Sequence, residues 1–158
     1  MSKISRYKTR KFLFQMLYAR TYWEVDKEDL ISSFFEWVFE TDLDMNYVDN
    51  MYKVILENEA ILISIIKRFA PKFDIANMAR ENVFPLFIAF SEMFFLDEEI
   101  PSKVSVNEAV ELAKTYWDNS SHKFVNWVLD SVLDSFEEVK YDIRNKKTEI
   151  NFSFFKSI

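Results

Sequence analysis

Apolar residues recur at three- and four-residue spacing along nearly the whole chain, a period that only an α-helix can bury on one side. It is clearest over residues 100–132, IPSKVSVNEAVELAKTYWDNSSHKFVNWVLDSV, which reads as two amphipathic helices joined by a short polar turn. Pro101 biases Ile100 away from the helical region. Ser105 and Glu108 have the S-x-x-E spacing of a capping box, so the first helix is expected to begin at the serine. Val106, Ala109, Val110 and Ala113 then form its apolar stripe, widened by Leu112. Asp118, Asn119, Ser120 and Ser121 supply N-caps for the next helix. There Val125, Val128, Leu129, Val132, Leu133 and Phe136 line one face.

The same period organises the rest. Arg6 to about Tyr22 is a helix with Phe12, Leu13, Met16 and Leu17 inward, and Leu30 to about Phe39 is a second. After a polar connector, Asp42 to Met45, the helical pattern runs from Tyr47 to Phe69, divided near Glu57, Asn58 and Glu59 and closed by Pro71. Two readings are open for Asp74 to Asn82: a helix beginning near Pro85, or one beginning near Ile75 and kinked by that proline. Asp97, Glu98 and Glu99 form an acidic loop, and the final helix runs from about Ser121 towards Arg144. The expected fold is all-α, with about seven helices in two packed subdomains and no sheet. Residues 1–145 form one domain and 146–158 a short aromatic tail that docks or stays loose.

Composition removes several function classes. Hydrophobic residues make up 49% of the chain, enough for a substantial core, with no cysteine and one histidine. Disulfides, thiolate metal centres and histidine-rich metal sites are therefore excluded. No segment approaches the roughly 20 apolar residues of a membrane span. The basic N-terminus lacks the apolar core of a signal peptide, so the expected location is cytoplasmic. There is no P-loop or glycine-rich cradle, since the chain has no glycine at all, and no nucleophile–base–acid spacing. The expectation is a protein without catalysis or cofactor.

Charge points to a binding role. The first 11 residues carry Lys3, Arg6, Lys8, Arg10 and Lys11 and no acid, within a chain of net charge −6. A basic arm on an acidic body suits a polyanion. These cations also crowd the positive end of a helix dipole, where they cost stability. Arg6 and Arg10, four apart, share a face. At the start of the last long helix, His122, Lys123, Phe124 and Asn126 form a second candidate group. Free N–H groups there suit an anion, Lys123 adds a point charge, Phe124 can stack on an unpaired base, and Asn126 can meet a base edge.

These residues resemble a known family. PSKVSVNEAVELAK and SHKFVNWVLD are similar to the P-x-K-V-x-I-N-E-A-I-E-L-A-K and S-H-K-F-V-N-G-V-L-D motifs of the NusB transcription-antitermination family. Arg6, Lys8, Arg10, Gln15, Leu17 and Tyr18 resemble its arginine-rich start, and IAFSEM at Ile88–Met93 its central helix. The resemblance implies a helical adaptor that binds a boxA-type single-stranded RNA together with the ribosomal small-subunit protein NusE. It would act within the RNA polymerase antitermination complex, promoting read-through in ribosomal RNA operons. It also implies a protein-partner surface at Ser91 and Glu92. The chain departs from the family at Tyr7, Phe87 and Ser91, and at Trp117 and Trp127, where glycine is usual. Either those tryptophans are glycines decoded under the wrong genetic code, or the composition has drifted from glycine. The runner-up function is a protein-interaction domain that keeps NusE and has lost specific RNA binding.

Overall fold

The computed structural model describes residues 5–22, 43–96, 99–116, 121–145 and 148–155. The helix expected over Leu30–Phe39, the candidate Lys3, and Trp117 lie outside them. Among the described residues there are seven α-helices, one 3₁₀ turn and no strand. The helices are α1 (Arg6–Arg20), α2 (Met45–Glu57), α3 (Glu59–Phe69), α4 (Arg80–Phe94), α5 (Ser102–Tyr116), α6 (Ser121–Asp134) and α7 (Phe136–Asn145). The all-α expectation holds.

Helix α4 is the axis of the molecule. Every residue from Val83 to Glu92 is buried, as expected of a helix apolar on all sides. It packs against α1, α2, α3, α5 and α6. One buried cluster extends from Phe12 on α1 through Phe84, Phe87 and Phe90 to Phe154 in the tail.

Pro85 resolves between the two open readings. The 3₁₀ turn covers Ile75–Asn77, α4 starts at Arg80, and Pro85 lies inside it. The proline leaves the Glu81 carbonyl without its helical partner, a loss the surrounding packing absorbs. The long pattern from Tyr47 to Phe69 does divide, at Asn58, whose side chain donates to the Val54 carbonyl (2.8 Å).

Two expectations are corrected. The last helix does not run unbroken to Arg144. It tightens at Ser135, whose N–H donates to the Val132 carbonyl (3.1 Å), and α7 starts afresh at Phe136. Ser105 is not an N-cap. Helix α5 starts a turn earlier, with the Val104 and Ser105 N–H groups on the Pro101 carbonyl (2.9 and 3.3 Å). Pro101 suits that end because it needs no N–H there.

No described residue has positive φ. The helix ends at Thr21, Asn58, Ala70 and Phe95 all have negative φ, so none of them uses the left-handed turn that favours glycine. A glycine-free composition is compatible with the described backbone.

Candidate nucleic-acid interface

The two sides of α1 have opposite jobs. Its N-cap is Ser5, whose hydroxyl accepts from the Lys8 N–H (3.2 Å). From that start, Phe12, Leu13, Phe14, Met16 and Leu17 point into the core, and Arg10 points inward with them, 4% exposed. Tyr7 and Lys8 face outward and Lys11 is half-buried, its Nζ 5.3 Å from the Tyr7 ring.

Arg10 enters a polar network at the junction of four helices. Its Nε and Nη2 donate to the two carboxylate oxygens of Glu92 on α4 (2.8 and 3.0 Å). Glu92 is 3% exposed and accepts two further bonds, from the Tyr47 hydroxyl on α2 and the Ser105 hydroxyl on α5 (2.8 Å). The Glu108 carboxylate lies 3.9 Å from Arg10 Nη1. Burial opposes the Arg10 charge, but the hydrogen bond and charge of Glu92 more than offset it, so the guanidinium is held above its ordinary pKa. Burial, then the Glu92 charge, pushes the Tyr47 phenol well above its usual value. Tyr47 therefore stays protonated and donates.

This geometry changes three expected roles. Arg10 faces a buried carboxylate and offers no contact to a polyanion. Glu92 is inside and spends its oxygens on Arg10, Tyr47 and Ser105, so it is not presented to a protein partner. Ser91 is fully buried, and its Oγ has no hydrogen-bond partner among the described residues. The signal for the network was present in a glutamate set amid IAFSEM, but the sequence could not say that its partners sit on α1, α2 and α5. Arg6 is intermediate: it bonds Asp44 (2.8 Å) and lies 4.3 Å over the Tyr47 ring.

The second group lies at the start of α6. Lys123 and Asn126 are exposed, and Asn126 Nδ2 reaches Asp130 at 3.4 Å. His122 is half-buried, its Nδ1 enclosed with no hydrogen-bond partner among the described residues. Phe124 is also half-buried, beside Phe73 and Trp127. Phe73 had not been singled out, and Trp127 only as a departure from the glycine usual in the family. Trp127 lies off the apolar stripe of its helix, which was the available signal. Among the described residues no carboxylate pairs with Lys8, Lys11 or Lys123. Helices α1 and α6 both lie against α4. No described cluster of three or more histidines or acids could hold a metal ion, and no described helix is long and apolar enough to cross a membrane.

An all-helical protein, with no strand among the described residues, is the class this fold defines. Residues 7–134 match the NusB family model. A transcription antitermination protein NusB from Clostridium perfringens is 34% identical over 136 residues, covering 85% of this chain and 100% of that protein. One from Serratia proteamaculans is 31% identical over 143 residues, covering 89% of this chain and 100% of the relative. The solved structure of Thermotoga maritima NusB superposes with a TM-score of 0.64 at 27% identity, covering 85% of this chain and 99% of that one. The chain belongs to the NusB family.

Proposed function

We propose that this chain is a transcription antitermination factor: a non-catalytic adaptor that binds boxA-type single-stranded RNA together with NusE. In this role it promotes read-through by RNA polymerase in ribosomal RNA operons. The observation that carries the reading is the match to antitermination proteins over their full length. The surface chemistry supports it. Lys8, Lys11 and Lys123 are free of carboxylates among the described residues, and Lys8 and Lys123 stand exposed. Such cations neutralise phosphates and release counterions, which positions a strand without reading it. Arg6 adds charge at the edge of the same arm, and Lys3 extends it in sequence. Phe124, Asn126 and His122 supply base contacts.

The test is a gel shift with a boxA-type RNA oligonucleotide, with and without purified NusE, at two salt concentrations. Binding that weakens with salt and tightens with NusE supports the adaptor. NusE binding without RNA binding would leave a protein-interaction domain, and binding to neither would reject both.

A further inference from the structure

Three aromatic rings meet at the surface, Phe124 half-buried against the core and Phe73 and Trp127 exposed beside it. Phe73 stands in the loop after α3, and Phe124 and Trp127 are three apart on α6. The ring centroids are 5.0 Å apart for Phe73–Phe124, 6.0 Å for Phe124–Trp127 and 6.4 Å for Phe73–Trp127. Phe73 is 50% exposed and Trp127 47%. Helix α6 makes its core contacts through Val125, Val128, Leu129 and Val132, all fully buried, so Trp127 is not there to fill the interior. Two exposed rings seated against a half-buried third make an apolar patch, the kind of feature that binding surfaces use.

The charges beside the rings select the occupant. Lys72 precedes Phe73 and Lys123 precedes Phe124; both are exposed, and no described carboxylate pairs with either. The neighbouring acids, Asp74 and Asp130, accept from the side chains of Asn77 (2.7 Å) and Asn126 (3.4 Å), which orient the carboxylates while leaving them charged. Two cations flanking flat π-faces, on a chain of net charge −6, suit unpaired bases joined by phosphates. Aromatic rings also suit a protein partner; the flanking lysines are what favour a phosphate backbone.

We propose that Phe73 and Trp127 enlarge the contact at Phe124 into a three-ring platform on which successive unpaired bases of the RNA stack, with Lys72 and Lys123 on the flanking phosphates. The proposal rests on the RNA-binding reading above and adds Phe73, Trp127 and Lys72 to it. The resemblance places glycine at 127, so the platform requires that tryptophan is the residue decoded there, which the mass of the native protein checks.

The experiment measures affinity for the same boxA-type RNA across a salt series, using Trp127→Leu, Trp127→Phe, Phe73→Leu and Lys72→Ala, each checked for unchanged helicity. Stacking is worth roughly 5- to 150-fold per base. Trp127→Leu and Phe73→Leu should weaken binding within that range without altering the salt slope. Trp127→Phe should lose less than Trp127→Leu. Lys72→Ala should lower the slope by roughly 0.7. Wild-type binding with unaffected Trp127→Leu and Phe73→Leu variants would overturn the platform and leave the adaptor standing. Loss of NusE binding in those variants, with RNA binding intact, would assign the patch to protein and overturn the proposal. Failure of the wild-type chain to bind RNA even at low salt would remove both readings.

Discussion

Arg10 and Glu92, eighty-two positions apart, form a two-pronged ion pair in the interior (2.8 and 3.0 Å) that ties α1 to the central helix. Tyr47 and Ser105 complete the carboxylate's shell from α2 and α5. A buried pair of this kind is costly to break because the remaining charge is stranded. Glu92→Gln should therefore lower the unfolding free energy by about 3–5 kcal/mol, read by chemical denaturation. Adding Arg10→Met should cost much less than the two single changes summed, because both charges are then gone. A loss below about 1 kcal/mol for Glu92→Gln would show that water reaches the site.

The burial of Arg10 separates two kinds of cation on α1. Lys8→Ala and Lys11→Ala should each reduce the dependence of RNA affinity on salt by roughly 0.7 in log–log slope while leaving stability nearly unchanged. Conservative replacement of Arg10 by lysine should do the reverse. It keeps the charge but loses the two-pronged geometry, so stability falls while the slope stays put. A slope change in the Arg10 variant equal to that of Lys8→Ala would place Arg10 on the RNA.

That division marks where sequence reading stops. The apolar period of α1 and α6 was legible because each stripe is local, and so was the break at Asn58. Arg10 was not, because spacing of four puts it with Arg6 while its destination depends on a glutamate on another helix. The S-x-x-E spacing at Ser105 and Glu108 misled for a related reason. Both residues are claimed by the buried network, Ser105 by Glu92 and Glu108 near Arg10, and Pro101 starts the helix instead. Trp127 was visible as an oddity, but its company with Phe73 required the α3–α4 connection to fold back on α6.

The tail docks. Phe154 is 5% exposed, packed edge-on against Phe84 and Phe87, and Phe155 stacks on Phe84 at 5.5 Å. The family match ends at residue 134, so this strap lies beyond it. A core Phe→Ala change costs about 3–5 kcal/mol, but the tail can detach as a unit, so Phe154→Ala should cost no more than removing it. Truncation after Ile150 should uncover Phe84 and Phe87 and raise binding of a hydrophobic dye. An unchanged dye signal and unchanged stability would show that the strap contributes nothing in solution.

Glu59 makes the strap sensitive to pH. At the first turn of α3, its carboxylate accepts from the Ser153 hydroxyl and from the Phe154 N–H (2.9 Å). Burial raises its pKa above the ordinary 4.5, although those two hydrogen bonds work the other way. A carboxyl with a raised folded-state pKa favours folding below its unfolded value and loses that contribution as pH climbs through the folded value. Ionised Glu59 is thus the less favourable state for the folded protein, burial outweighing the strap's two hydrogen bonds. Glu59→Gln, which cannot ionise, removes this dependence. The stability of Glu59→Gln relative to wild type should therefore rise as pH is taken from about 4 through the carboxylate range towards neutrality. Denaturation midpoints of the two proteins across that series provide the check, and parallel curves would mean that Glu59 ionises as freely in the fold as in the unfolded chain.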